Sequence, residues 1–159
     1  MPAEVVKAHP EVAGMLKGLA ALPAHANVEV STPPINAPAL PAKLDAVFIR
    51  QNYHDLHDKF MGPADHATFN RAVFAALKPG GVYVILDHAA EPGSGLRDTE
   101  GRHRIDPAEV KAEVLAAGFK LDAESAILAN PADDHTKAVF DPAVRGKTDQ
   151  FLLRFRKPR

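Results

Sequence analysis

The chain has 159 residues, enough for one domain of ordinary size. Its 20 acidic and 19 basic residues leave a net charge of −1, which argues against a groove that neutralises many phosphates, so no nucleic-acid partner is expected. Apolar residues at 46% and charged residues at 25% describe a globular chain with a real core, the absence of Cys excludes disulfides, thiolate catalysis and Cys-bound metals, and the absence of Trp argues against a base-stacking surface.

Pro2 to Leu22 reads as helix, with Val12, Leu16, Leu19 and Ala20 at helical spacing. Pro10 either starts the main helix at its first turn or breaks it, and Pro23 stops it. The start, Met1 to Ala8, carries Glu4 and Lys7 and has no basic head before an apolar stretch, so it is not a secretory signal. Nor does any run reach the roughly 18 apolar residues of a membrane span, so no membrane partner is expected. Asn27 to Ser31 alternates and reads as a short strand, and the four prolines of Thr32 to Lys43 make an extended loop.

Leu44 to Arg50 (LDAVFIR) is an apolar run of strand length, expected to be buried on both faces. Gln51 to Gly62 is a polar loop rich in His and Asp. Ala64 to Leu77 is an amphipathic helix with Phe69, Val73 and Leu77 on one stripe, ended by Lys78-Pro79-Gly80-Gly81. Val82 to Asp87 (VYVILD) is a second buried strand, and His88 to Ile105 a long polar loop. Asp106 caps the next helix, with Pro107 at its first position and Glu109 completing a variant capping box. Val110 and Val114 face the core and Gly118 closes the helix. Phe119 to Leu128 is a strand, Asn130 to Thr148 a second long loop, and Gln150 to Arg156 (QFLLRFR) the final strand. Strands alternating with helices imply an α/β domain with a mostly parallel sheet, and the helix-free connection before the last strand makes that strand antiparallel.

In an open α/β sheet, ligands bind beyond the carboxyl ends of the parallel strands. The first buried strand ends into Gln51, Asn52, Tyr53, His54, Asp55 and His57, and the second at Asp87 and His88. If the two strands are neighbours, His54, Asp87 and His88 share one cleft, and the loop with His103 and Arg104 leaves the same edge. The loop with Asp133, Asp134 and His135 joins them if its entering strand is parallel. Six of the eight histidines (54, 57, 88, 103, 135 and, just inside a helix, 66) fall in or near these segments. Asp87 and His88 read as an acid/base pair with the carboxylate orienting the imidazole, or as a turn cap beside a solvated ring. His103 and Arg104 either grip an anionic substrate or form an exposed loop pair. His54-x-x-His57 is half of a metal site with no third ligand specified, so no metal is assigned. Ser94 lacks the Gly-x-Ser-x-Gly setting of a nucleophile elbow.

From Leu44 to Asp87, the order LDAVFIRQNYHDL, helix, ALKPGGVYVILDH resembles the second half of class I, Rossmann-like, S-adenosylmethionine-dependent methyltransferases, and most nearly a bacterial group of predicted methyltransferases. Asp45 near the start of the first buried strand, the Leu-Lys-Pro-Gly-Gly turn, and Ala117-Gly118-Phe119 before two strands carry the likeness. The resemblance covers roughly Asn27 to the C-terminus. The family's Gly-x-Gly-x-Gly turn and the acid after its second strand have no counterpart: Gly14 and Gly18 fall in the N-terminal helix, and Ser31-Thr32-Pro33-Pro34 stands where an acid often follows the third strand. The resemblance therefore implies a single domain over residues 1–159 that is N-terminally incomplete, beginning about one third of the way into the family's fold.

It further implies S-adenosylmethionine as cofactor, contacted by Arg50, Gln51, Asn52 and Tyr53, and a small-molecule acceptor handled by His54, Asp87, His88 and His103. An apolar strand left at a sheet edge invites pairing, so the Leu44–Arg50 edge is expected to be covered by Asn27–Ser31 or by a second copy in a homodimer. Two other functions fit the residues: a non-catalytic remnant that oligomerises and binds a small anion or a protein, and a metal-assisted hydrolase using His54, His57 and Asp87. The expected compartment is the cytoplasm, or the periplasm if a longer gene product carries an export signal.

Overall fold

The computed structural model describes residues 1–159. Two helices, α1 (Ala3–Ala8) and α2 (Pro10–Ala20), open the chain, and Pro10 starts the second at its first turn. Strand β1 (Leu44–Arg50) follows, then helix α3 (His66–Ala76) and strand β2 (Leu77–His88). A short helix α4 (Thr99–Arg102), helix α5 (Pro107–Ala116), strand β3 (Lys120–Ser125) and strand β4 (Gln150–Arg156) complete the domain.

The four strands stand in the order β1-β2-β4-β3. β1 lies parallel to β2, with Ala46 opposite Val82 and Arg50 opposite Leu86. β4 is antiparallel to both β2 and β3, so β3 runs in the direction of β2. The carboxyl ends of β1, β2 and β3 therefore share one edge of the sheet. The loops after all three strands meet there.

α3 and α5 pack on a single face of the sheet. Val73, Tyr83, Ile85, Val110, Val114, Leu153 and Phe155 form the centre of the core there, each 1% exposed or less. Asp65 caps α3 by accepting the Thr68 N–H at 3.0 Å. Asp106 caps α5, but through Ala108 N–H at 2.8 Å, and its other oxygen takes Gly93 N–H at 2.7 Å. The second half of the expected capping box is not formed.

Several sequence expectations need correction. Asn27–Ser31 is not a strand: Ser31 and Pro33 turn their carbonyls to the N–H groups of Met1 and Ala3, and Val28 is exposed. No backbone hydrogen bond links this segment to β1, whose outer edge carries no strand. β1 is also not buried on both faces. Phe48 is 59% exposed, because only one side of the sheet carries helices. The apolar stripe of α2 buries nothing, and Met15 and Leu19 face outward.

Strand β2 begins five residues earlier than the apolar run suggested, at Leu77. Lys78-Pro79-Gly80-Gly81 is a bulge inside the pairing with β1, where the register jumps from Leu44–Leu77 to Ala46–Val82. Gly80 adopts φ +80°, and a Cβ on Gly81 would stand 2.9 Å from the Lys78 carbonyl oxygen. β3 ends at Ser125, short of the expected Leu128.

Candidate functional site

The parallel pairing of β1 with β2 brings the loop after Arg50 against Asp87. Gln51 turns the chain there in a left-handed conformation, φ +56°, while its N–H extends the ladder to Leu86 carbonyl at 2.7 Å. A 3-10 turn over His54–His57 follows. Asp87 is completely buried. One of its oxygens accepts the His54 backbone N–H at 2.9 Å, and the other accepts His54 Nδ1–H at 2.8 Å and His88 N–H at 2.8 Å. The carboxylate thus orients His54. His88, whose ring the sequence had paired with Asp87, gives it only a backbone N–H, and its Nδ1 lies 2.8 Å from Thr148 Oγ1.

With Nδ1 committed to Asp87, His54 turns Nε2 toward a second group of side chains. Asp55 Oδ1 lies 3.2 Å from Nε2, and the His103 ring stands edge-on at 5.4 Å between centroids. Asp58 is 3% exposed, and neither of its oxygens has a hydrogen-bond partner. Its nearest cationic neighbour is His103 Nδ1 at 3.8 Å. His103 is held in the left-handed region at φ 55° and leans on Phe140. His54, Asp55, Asp58 and His103 each offer an atom within 4.8 Å of the others.

Burial sets the electrostatics here. Burial works against a charge on His54, yet the hydrogen bond to Asp87 and the fields of Asp87, Asp55 and Asp58 outweigh it and raise the imidazole pKa. Burial raises the Asp55 and Asp58 carboxyls, against the pull of His54. Burial lowers His88 to about 4, so its ring is neutral at pH 7.

The expected candidates divide. His54, Asp87, His88 and His103 gather at one rim. Arg50 and Asn52 line an adjoining groove of about 500 Å³ whose walls include Val47, Ile49, Leu40 and Leu56. Gln51 lies 3.3 Å from Gln150 through its side-chain amide. Tyr53 points into the core: it is fully buried, its hydroxyl donates to Glu113 at 2.8 Å and accepts from Asn70 at 2.7 Å, and it offers no polar atom to the rim. Arg104 grips no external anion. Its guanidinium is fully buried, 2.8 Å from Asp133, and donates to the carbonyls of Ala89 and Lys137 at 2.9 Å. It joins two long loops. His135 lies beside Asp149 at 2.9 Å.

His57 does not join His54 and Asp87, which separates the three residues of the hydrolase alternative. It stands with His66 and Glu113 in a second cluster, 3.2 Å from Glu113 Oε1. Sequence reasoning missed Asp58 and Glu113. Glu113 sits three residues after Val110 and so shares its inward face, a spacing that marks it. Asp58 has the weaker mark of falling four residues after His54 in a repeated His-Asp pattern.

No protein-family model matches the sequence, and no curated protein matches it. Solved structures do. The glycopeptide N-methyltransferase MtfA complexed with sinefungin superposes with a TM-score of 0.63 at 16% identity, over 95% of this chain and 69% of that one. A SAM-dependent methyltransferase from Aquifex aeolicus gives 0.54 at 16% identity, over 84% and 56%. The N-methyltransferase NodS from Bradyrhizobium japonicum gives 0.53 at 14% identity, over 86% and 65%. The fold is therefore that of class I S-adenosylmethionine-dependent methyltransferases. This chain spans only part of the length of these neighbours: 56% of the Aquifex aeolicus protein, 65% of NodS and 69% of MtfA.

Proposed function

We propose that this chain carries the acceptor side, and part of the cofactor side, of an S-adenosylmethionine-dependent methyl transfer to a small molecule. The observation that carries this reading is the convergence of the His54–Asp87 rim and the apolar groove at the carboxyl ends of β1 and β2, in a fold shared with methyltransferases, among them MtfA solved with S-adenosylmethionine. The groove fits an adenosyl group in kind. Its walls are aliphatic, and Arg50, Asn52 and Asp55 supply polar atoms at its rim. No glycine turn lies beside it, since Gly14 and Gly18 fall in α2.

When bound, the cofactor supplies an electrophilic methyl group on a sulfonium, and its sulfur keeps the electron pair of the broken bond. The residues of this chain do the rest. Arg50 and Asn52 hold the nucleoside at the groove. Asp87 fixes His54 in one orientation, so that Nε2 can hold the acceptor or take the proton it loses. His88, neutral at pH 7, and the half-buried His103 flank the same opening. Rate comes mainly from in-line positioning.

Calorimetric titration with S-adenosylhomocysteine tests the reading. Heat that saturates in the micromolar to millimolar range, and weakens at least about tenfold in Asn52→Ala, supports it. No heat at about 1 mM ligand with the folded protein sinks it and favours a non-catalytic binding module.

A further inference from the structure

We propose that His54 Nε2, Asp55, Asp58 and His103 bind one divalent transition-metal ion, with Asp87 orienting His54 from behind. The charge inventory motivates the site. Asp55, Asp58 and Asp87 are all buried, and no Lys or Arg pairs with any of them. The only cationic partners are two imidazoles. Asp58 is the decisive member: its carboxylate is 3% exposed, has no donor in hydrogen-bonding geometry on either oxygen, the neighbouring Thr99 hydroxyl being turned to the Leu96 carbonyl, and belongs to the cluster whose four ligand atoms lie within 4.8 Å of one another. A buried carboxylate without donors calls for a cation.

The His54 tautomer points the same way. Asp87 accepts the Nδ1–H at 2.8 Å, so Nε2 is the ring nitrogen turned into the cluster. Nε2 lies 3.2 Å from Asp55 Oδ1. In the ion-free chain a proton on Nε2 sits between them, and a bound ion takes its place. A carboxylate behind one ring nitrogen, with the other nitrogen turned toward further donors, is the arrangement that fixes metal-ligating histidines. Two imidazoles with two carboxylates form a borderline donor set, suited to zinc, manganese or ferrous iron in preference to magnesium or calcium. His103 is 30% exposed at its side chain and marks the side from which an ion arrives.

The ion site stands on these residues and does not depend on methyl transfer. Within that reading it assigns His54 a definite part: Nε2 becomes a ligand, and an acceptor hydroxyl at the ion is acidified there.

The test uses the full chain, stripped of metal and titrated with ZnCl2 and, separately, MnCl2 by calorimetry. Binding of one ion per chain, a rise in melting temperature, and with Co2+ a visible d–d absorption band stronger than that of the hexaaqua ion are expected. Asp58→Asn removes only a charge from the interior and should fold. It should weaken binding at least about tenfold, as should His103→Ala, and Asp87→Asn should do so by 10- to 100-fold through misorientation of His54. His57→Ala should leave the affinity unchanged. The proposal is overturned if no ion binds at about 100 μM free Zn2+. It is equally overturned if Asp58→Asn binds as tightly as the parent while His57→Ala does not, because the ion then belongs to the His57–His66–Glu113 cluster. Metal binding without heat from S-adenosylhomocysteine would keep this site and remove methyl transfer; the converse would do the opposite.

Discussion

His54 and His88 sit beside the same carboxylate and titrate in opposite directions. His54 gains Asp87 on folding, so it holds its proton more tightly than in the unfolded chain. Its contribution to stability is present below the unfolded value of about 6.5 and fades as pH rises through the folded one. His88 is held neutral by burial, with a folded value of about 4. Its contribution is present above about pH 6.5 and disappears as pH falls toward 4. The acid side of the stability curve therefore carries a His88 component. His88→Gln should remove that component and flatten the decline between pH 6.5 and 4. Urea midpoints of parent and variant at pH 7, 5.5 and 4.5 measure it, and an identical acid slope in both would show that His88 is protonated in the native state.

The residue scale was also where the sequence misled most. A loop of His and Asp reads as solvated, because nothing local says that Asp58 will be enclosed by α4 and the His103 turn. Asp87 was found because it ends an apolar strand. Its partner was misassigned because adjacency in the chain favours His88, whereas the parallel register of β1 on β2 delivers His54. Arg104 reads as a surface cation, yet the two loops it joins are 33 residues apart at its bond to the Lys137 carbonyl, a contact no local pattern records.

Elements with a self-contained signal were legible. β1 and β4 match their apolar runs to the residue. α3 and α5 follow from their caps and stripes. Asn27–Ser31 failed because alternation specifies a strand only where a partner edge is available. The end of α3 also hides a distant contribution. Lys157, beyond β4, donates to the carbonyls of Phe74 and Leu77 at 2.7 and 2.8 Å and stands 4.7 Å from the Phe74 ring centroid. It occupies helix-end carbonyls that the immediate turn into β2 leaves without helical donors. Lys157→Met keeps the aliphatic stem and removes the donors, at an expected loss of about 2 kcal/mol. Urea denaturation reads this directly, and a loss below about 0.5 kcal/mol would mean that water replaces the ammonium without cost.

For the whole molecule, the sheet is asymmetric. β3, at one edge, is held by β4 and by the Asp122 carboxylate, which lies 2.7 Å from both Arg154 and Arg156. β1, at the other edge, carries apolar residues of a kind that edge strands avoid when they stay single. Its class was legible from the alternation of strands and helices, but its exposure was not, because an apolar run reports what a strand can bury and says nothing of which layers reach it. If a second copy covers this edge, the pairing is isologous and closes on itself. Sedimentation equilibrium should then give twice the 17.1 kDa chain mass at high concentration, shifting toward monomer on dilution. Phe48→Lys places a charge on the 59% exposed position without entering the core, so circular dichroism should be unchanged while the dimer is lost. A parent protein that remains monomeric at every concentration would rule the pairing out, and a dimer indifferent to Phe48→Lys would move the interface away from β1.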